Sequence, residues 1–364
     1  MVTISLCMIV KNEEKLLARC LECVKDIVDE IIIVDTGSDD NTKKIANKFT
    51  NLVYDFKWID DFSKARNYSF SKASKDYILW LDADDIVLEE DRLKLLNLKN
   101  TLTNNIDIVM MKYNVGFDED GNVNFSYYRE RLLKRDKNFT WVSPIHEVIV
   151  PSGNVYYSDI CITHKSTHSN HTKRNLKIFE KIMTYSTLDE RQSYYYAREL
   201  MYDKQYFKAI DKFNEFLNMK NAWIENKLNA YLDLSACYKE LGDSKNELLS
   251  LLNSFSLGIP RAEILSSIGI YFMKNYNYET AIYWFKQALK CKINLENGSF
   301  CIIDYYRFIP YINNRNESRV YGHDYQSSGG PRRCYSPRIQ APGSSHPHSR
   351  SLQYHPFQIR LLLL

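Results

Sequence analysis

The chain has 364 residues and a formal net charge of +3, so it has room for two domains that each bury a core. This small charge comes without a basic stripe interleaved with aromatic residues, which argues against nucleic acid as a partner. Apolar runs are too short to span a bilayer and the eight cysteines are scattered, which predicts a cytoplasmic protein with reduced thiols and no transmembrane segment.

The first part of the chain, residues 1–168, alternates between strand patterns and helix patterns. Apolar runs of strand length lie at 4–10, 30–34, 52–54, 77–81, 106–113, 127–133 and 159–163. Stretches with helical spacing lie between the early runs, at 15–28, 41–49 and 62–73. Strand, helix and strand at this spacing are typical of parallel βαβ units. The charges that flank 127–133 indicate an edge strand of a mixed sheet.

The second part, residues 169–312, replaces strand patterns with repeated helical ones. The predicted tight turns are 38 and 34 residues apart, at Tyr206, Ser244 and Tyr278. Small residues such as Ala209 and Ala281 allow paired helices to approach, and a period near 34 residues resembles tetratricopeptide (TPR) repeats. The middle unit has Glu247 where a small residue is expected, and a plain helical bundle is the alternative.

The third part, residues 313–364, differs in composition from the rest. The last lysine of the chain is Lys292, whereas prolines and histidines concentrate in this tail. Two interpretations stand: a disordered interaction tail, or a frame change or read-through after Ile312, which we favour. We assign no chemistry to these residues.

Polar clusters follow three of the predicted strands, at residues 11–14, 35–38 and 82–85. Parallel strands bring such clusters to one edge of the sheet, where ligands of open α/β sheets bind. There Asp35 can accept a hydrogen bond from a base or ribose, while the aspartates at 82–85 can hold a divalent cation and a diphosphate. The glycine patterns of dinucleotide-binding proteins and of nucleoside triphosphatases are missing from the sequence.

Four motifs in the same order and spacing resemble those of family 2 glycosyltransferases with the GT-A fold. They are residues 5–14 (SLCMIVKNEE), 33–42 (IVDTGSDDNT), 61–67 (DFSKARN) and 79–85 (LWLDADD). The resemblance implies a Rossmann-like α/β domain with a mostly parallel mixed sheet, followed here by an all-α TPR-like domain. This combination resembles a bacterial subgroup that includes peptide S-glycosyltransferases, while other members decorate surface glycans or proteins.

The resemblance implies roles for individual residues on the side of the sugar donor. Those near the donor would be Ile9, Lys11, Glu13, Asp35, Arg66, Asn67 and Asp82, with Asp35 on the base or ribose. Asp82 and Asp84 would form the motif for manganese or magnesium, with Asp84 as the direct ligand. Asp85 would be a supporting acid or a helix cap. His164 would contact the metal or the diphosphate, with an ordinary loop histidine as the alternative.

The candidate base lies in residues 141–147 (WVSPIHE), which resemble the subgroup's segment ending in Trp/Phe-x-Gly-x-x-His-Glu. The family analogy makes Glu147 the base and puts His146 in the lining of the donor site; an ordinary surface position for Glu147 is the alternative. Ser143 stands where a glycine is usual. Residues 173–175 are expected to begin a helix whose N-terminus either helps to hold phosphate or is a solvated basic turn.

These inferences predict an inverting, metal-dependent glycosyltransferase that moves a sugar from a nucleotide-diphosphate sugar to a peptide, protein or glycan acceptor. The repeat domain would bind the acceptor or form a homodimer. Two alternatives stand beside this hypothesis: a nucleotidyltransferase or phosphatase using the same acids, and an inactive repeat scaffold that retains a nucleotide-sugar-binding fold. The sequence leaves open the donor base, the sugar, and attack by oxygen or by sulfur.

Overall fold

A computed structural model describes residues 1–118, 120–165, 172–293, 301–307 and 309–310. The predictions made for 313–364 lie outside these residues. The expected domain boundary at 168 also lies outside them. The last strand before it ends at His164 and the next helix begins at Thr172.

The strands of the described residues form one large sheet and one small hairpin. Their bounds are β1 Ile4–Val10, β2 Glu30–Asp35, β3 Val53–Asp55, β4 Tyr77–Trp80, β5 Asp85–Ile86, β6 Ile108–Phe117, β7 Val123–Lys134, β8 Trp141–Val142, β9 Val148–Ile149, β10 Val155–His164 and β11 Cys301–Ile302. In the large sheet the order is β3-β2-β1-β4-β7-β6-β10-β5, and β11 pairs with β7. β8 and β9 form the hairpin.

The sheet is mixed, as expected, with a parallel half that carries the polar clusters. β1 pairs in parallel with both β2 and β4, so these strands end at the same edge. Their side chains are buried on both faces, which explains why they read as continuous apolar runs.

The expectation that β7 forms an edge is wrong, because β7 lies between β4 and β6 in antiparallel pairings. Its charged residues are compatible with this central position because they are compensated inside the protein. The guanidinium of Arg131, which is fully buried, donates to Asp85 Oδ2 at 3.0 Å and stacks on Trp80 at 3.8 Å. Arg129 pairs with Glu130 at 3.1 Å.

Helices cover the sheet, and the early ones are shorter than their apolar patterns suggested. Their bounds are α1 Leu17–Glu22, α2 Thr42–Ala46, α3 Phe62–Phe70 and α4 Glu89–Thr101. After α1 the chain continues in turns with hydrogen bonds three residues apart, such as Val24 N to Leu21 O and Ile27 N to Val24 O, both near 3 Å. Val24 and Ile27 are nevertheless completely buried, so the apolar pattern marked the buried face and not the helix length.

The second part of the chain is helical and forms stacked pairs, as expected for TPR-like repeats. The helices are α5 Thr172–Met183, α6 Glu190–Tyr202, α7 Tyr206–Leu217, α8 Ile224–Glu240, α9 Ser244–Asn253, α10 Ala262–Lys274 and α11 Tyr278–Ala288. The three predicted turn residues Tyr206, Ser244 and Tyr278 are the first residues of α7, α9 and α11. A Cβ added at Gly269 would lie 2.6 Å from the Phe285 ring, which shows how closely α10 and α11 approach.

One segment of the helical region returns to the sheet, which the sequence did not predict. β11 pairs antiparallel with β7, and Ile302 N donates to Glu263 Oε1 of α10 at 3.0 Å. Burial raises the pKa of this glutamate. The two parts of the chain are thus joined through the sheet itself. Among the described residues, every helix is too short or too polar to cross a membrane.

Candidate functional site

The loops after β1 and β2 are joined to each other by hydrogen bonds. Asn12 N donates to Ser38 Oγ at 2.9 Å, and Asp39 N donates to Asn12 Oδ1 at 2.8 Å. Glu13 N donates to Thr42 Oγ1 at 2.7 Å. The two loops therefore form one continuous surface at the carboxyl ends of the parallel strands.

Asp35, the last residue of β2, offers an acceptor toward this surface. Only 2% of the residue is exposed, and its Oδ1 accepts from the backbone of Gly37 and Ser38, both at 2.9 Å. Gly37 has φ +106°, a conformation that a residue with a Cβ rarely adopts. The other carboxylate oxygen of Asp35, Oδ2, is buried without a hydrogen-bond partner among the described residues. A buried carboxylate oxygen of this kind suits an N–H or O–H donor of a ligand.

Three further residues expected near the donor base lie on the same strand end. Ile9 is half-buried, Lys11 is exposed and Glu13 is half-buried. They lie at the end of β1 and beside Asp35, because β1 and β2 are parallel and Val10 is paired with Asp35 in their register.

The structure brings Asp84, Asp85 and His164 together in a buried cluster. One ligand atom from each lies within 4.8 Å of the others, and Asp84 Oδ1 is 3.4 Å from His164 Nδ1. β5 and β10 form this cluster, because Asp85 pairs with His164 in their antiparallel register. Arg19 Nη2 holds the surrounding backbone, since it donates to the carbonyls of Asp84 at 3.3 Å and Lys165 at 2.9 Å.

The hydrogen bonds of this cluster place a proton on Nδ1 of His164. Burial alone would raise the pKa of Asp85, but the Arg131 charge and the contact with His164 hold it at about 2. Asp85 is therefore an acceptor only, and the Tyr113 hydroxyl donates its proton to Asp85 Oδ1 at 2.8 Å. The Tyr113 oxygen, 2.8 Å from His164 Nδ1, then accepts from Nδ1–H. Burial alone would lower the pKa of His164, but the contact with Asp85 and the Asp84 charge outweigh it and raise the pKa.

Asp82, expected as a second metal ligand, makes a different contact. Its Oδ1 accepts from Arg66 Nη2 at 2.8 Å, and the carboxylates that join His164 in the cluster are those of Asp84 and Asp85. Asp85 is paired with Arg131 at 3.0 Å, and its role as a supporting acid stays a prediction.

Arg66 connects residues 82–85, the acidic motif, with the candidate base Glu147. Its Nη2 bonds Asp82, and its Nε donates to Glu147 Oε1 at 2.6 Å. The guanidinium lies against the rings of both Trp80 and Trp141, 5.1 and 4.8 Å from their centroids. Burial alone would lower the pKa of Arg66, but the two carboxylates outweigh it and raise the pKa. The side chain is therefore a fixed cation between two acids.

Asn67, expected near the donor, holds the neighbouring hairpin. Its Nδ2 donates to Trp141 O at 2.9 Å, and its Oδ1 accepts from Trp141 N at 2.8 Å. Both ends of the amide are thus occupied by the backbone of β8. Asn67 positions Trp141, which in turn packs against Arg66.

His146, expected to line the donor site, is turned toward the helical region. Its ring stacks on Tyr195 at 4.2 Å, and its Nε2 lies 2.9 Å from Glu199 Oε1. His146 is buried, and its backbone has φ +51°. The adjacent Glu147 therefore faces Arg66 while His146 faces α6.

The residues at the start of α5 do not all point toward the edge of the sheet that carries the polar clusters. Asn175 Nδ2 donates to Glu199 Oε1 at 2.8 Å, inside the helical region. The Arg174 guanidinium donates to Asn175 Oδ1 at 3.2 Å and stacks on Phe62, and burial lowers the pKa of Arg174. Lys173 is exposed.

Sequence reasoning missed the side chains that support these groups. Trp80 and Trp141 pack against Arg66, and Tyr113 contacts His164. Trp80 was visible only as part of an apolar strand, and Trp141 as part of a motif. For Tyr113 no signal in the sequence connects it with Asp85 and His164, because 28 and 51 residues separate them.

Known proteins resemble this chain in sequence. Residues 5–194 match the model of glycosyl transferase family 2. A TPR repeat-containing protein of Synechococcus elongatus is 50% identical over 90 residues, 25% of this chain and 22% of that protein. The SPbeta prophage-derived glycosyltransferase SunS of Bacillus subtilis is 26% identical over 229 residues, 59% of this chain and 53% of SunS. The chain thus spans between about a fifth and about half of the length of these relatives.

Among solved structures, glucosyl-3-phosphoglycerate synthase from Mycobacterium tuberculosis is similar at 14% identity and a TM-score of 0.36, over 52% of this chain and 80% of that one.

The family match covers more than half of the chain, from β1 to the first turn of α6. It contains Asp35, the acidic cluster, Arg66 and Glu147. The chain therefore belongs to glycosyl transferase family 2.

Proposed function

We propose that this protein is an inverting, metal-dependent glycosyltransferase that uses a nucleotide-diphosphate sugar. The observation that carries the proposal is the bridge through Arg66, which joins Asp82 of the acidic motif to Glu147 through bonds of 2.8 and 2.6 Å. The bridge puts a candidate base one side chain away from the acidic motif, which suits transfer of a sugar to an acceptor that must lose a proton. Family membership supports the same assignment.

Two features on the donor side support a nucleotide-diphosphate ligand. The Oδ2 of Asp35, which has no hydrogen-bond partner in the part of the chain that the structure describes, suits an N–H of a base or a hydroxyl of a ribose. The cluster of Asp84, Asp85 and His164 fits manganese or magnesium, because it offers buried carboxylate oxygens together with an imidazole nitrogen. A cation held there would supply positive charge to offset that of the departing diphosphate.

Glu147 supplies the base of the proposed reaction. The hydroxyl or thiol of the acceptor attacks the anomeric carbon from the face opposite the diphosphate, and its proton passes to the Glu147 carboxylate. The new bond joins the acceptor atom to the anomeric carbon as the bond to the diphosphate oxygen breaks. One displacement inverts the configuration, and no covalent intermediate with the enzyme is needed. Arg66 holds one carboxylate oxygen of Glu147, which sets the direction in which the base faces.

The acceptor we propose is a peptide, a protein or a saccharide. The segment 141–147 resembles the subgroup that contains peptide S-glycosyltransferases, and the stacked helix pairs form a TPR-like surface suited to an extended chain. A homodimer through the helical region and a cytoplasmic location remain predictions.

A thermal-shift screen tests the proposal directly. UDP-, GDP-, ADP- and dTDP-glucose would each be added with and without manganese, because a ligand that binds only the folded state raises the melting temperature. A manganese-dependent rise with one nucleotide identifies the donor base, and release of the nucleoside diphosphate then measures turnover. A folded protein that shifts with none of these ligands would contradict the proposal and favour an inactive scaffold.

A further inference from the structure

The helical region contacts the sheet domain at the loop that carries the candidate base. From α6, Gln192 Nε2 donates to Ser143 Oγ at 3.3 Å, and the Arg191 guanidinium donates to His146 O at 3.2 Å. Two turns further along the same helix, Glu199 Oε1 lies 2.9 Å from His146 Nε2. One helix therefore holds both ends of the segment between Ser143 and His146.

The His146 side chain is confined on several sides by helical residues. Its ring is nearly parallel to that of Tyr195, at 17° and 4.2 Å, and it also stacks on Phe179 at 6.2 Å. Glu199, which is 2% exposed, accepts a second bond from Asn175 Nδ2 at 2.8 Å. The imidazole thus has one position, and α5 and α6 determine it.

The backbone of this loop needs such support. Ser143 has φ +75° and His146 has φ +51°, and side chains other than glycine occupy this region at a cost. Such conformations persist where the surrounding contacts impose them. Glu147 is the next residue, so its direction toward Arg66 depends on the conformation of His146.

We propose that Glu199 is a positioning residue for the base: through His146 it fixes the backbone from which Glu147 reaches Arg66 and the acceptor. This inference rests on the proposed function. It makes α6 part of the active site, so the helical region does more than bind an acceptor or form a dimer. It also explains why the side chain of His146 is directed away from the donor while its neighbour carries out the chemistry.

The test compares Glu199→Ala with wild type in the full chain. The assay measures release of the nucleoside diphosphate with water as acceptor. It uses the nucleotide-diphosphate glucose that gives the largest manganese-dependent rise in melting temperature in the thermal-shift screen. We expect Glu199→Ala to lower kcat by about 10- to 100-fold, because displacement of a reacting group by about 1 Å has effects of this size. KM for the donor is expected to stay unchanged. Glu199→Gln, which retains an oxygen that accepts from His146 and Asn175, should restore most of kcat.

Two controls separate positioning from stability. Ile268→Val removes one methyl group from a fully buried site in α10 and should lower the melting temperature without lowering kcat. His146→Phe keeps a ring between Tyr195 and Phe179 but loses the bond to Glu199, so it should lower kcat as Glu199→Ala does. The double variant His146→Phe/Glu199→Ala should be no slower than the slower single variant. This pair also covers the case in which Glu199→Ala fails to fold.

The outcomes distinguish this inference from the function on which it rests. Wild type that releases no diphosphate from any donor would overturn the proposed function and the inference with it. Active wild type with an unchanged kcat in folded Glu199→Ala, or in His146→Phe, would overturn the inference alone. A fall in kcat that Ile268→Val reproduces at equal loss of melting temperature would also overturn it.

Discussion

The two halves of the candidate site are built in different ways. The donor half lies at the ends of β1, β2 and β4, where parallel pairing alone brings Asp35 and the acidic motif to one edge. The base half is a short loop whose key residues depend on distant partners. Glu147 bonds Arg66 across 81 positions of the chain, and His146 contacts Glu199 across 53. A strand end can thus display an acid through local structure, whereas a loop needs the whole fold to aim one.

The largest effect is expected in the base half, from Glu147→Gln. Loss of the general base should lower kcat by about 100- to 10,000-fold, while the thermal shift with donor and manganese is retained. Release of the nucleoside diphosphate measures the first quantity. Glu180→Gln, at an exposed position in α5, is the control and should behave as wild type. Loss of donor binding in Glu147→Gln would instead place this residue in the donor half.

The donor half should respond next most strongly, to Asp84→Asn. Removal of one carboxylate charge from the cluster should abolish the manganese-dependent thermal shift and lower kcat by about 100- to 1000-fold. Asp136→Asn removes an exposed carboxylate that lies 3.8 Å from Lys134, and it should change neither quantity. Full turnover of Asp84→Asn at saturating manganese would contradict the role given to Asp84.

A smaller effect, on binding more than on rate, is expected from Asp35→Ala. A hydrogen bond to a charged group contributes about 1.5–3 kcal/mol, so the Kd of the donor should rise by about 10- to 100-fold. Titration of the thermal shift or calorimetry measures this change. Asp39→Ala, at an exposed position in the same loop, is the matched control. A change in kcat without a change in Kd would show that Asp35 does not contact the donor.

The smallest effect is expected on stability, from Ser143→Gly in the base half. Glycine adopts a positive φ without strain, which stabilises the folded state. It also makes the unfolded chain more flexible and removes the bond from Gln192, so the net gain in folding stability is about 0.5–1 kcal/mol. The melting temperature should rise by about 1–4 °C. Asn138→Gly, at φ +52°, should gain less, because asparagine already tolerates this conformation. A lower melting temperature for Ser143→Gly would show that the Gln192 contact outweighs the strain.

Much of the fold was accessible from the sequence, because the relevant signals are local. The alternation of apolar runs with helical spacing identified the parallel strands β1, β2 and β4, and turn residues located the starts of α7, α9 and α11. The position of β7 was not accessible in this way. Charges in a strand favour an edge position unless they have partners. The partners of Arg131 are Asp85 and Trp80, which lie on other strands.

The sequence by itself determined which acids stand at the ends of the strands, because strand ends follow from apolar periodicity and parallel pairing. Only the tertiary structure decided which acid meets which partner. Asp82 turns to Arg66, Asp84 and Asp85 gather with His164, and His146 turns away to Glu199. The reason is physical: a side-chain contact depends on register, backbone angle and the position of partners tens of residues away, none of which periodicity records.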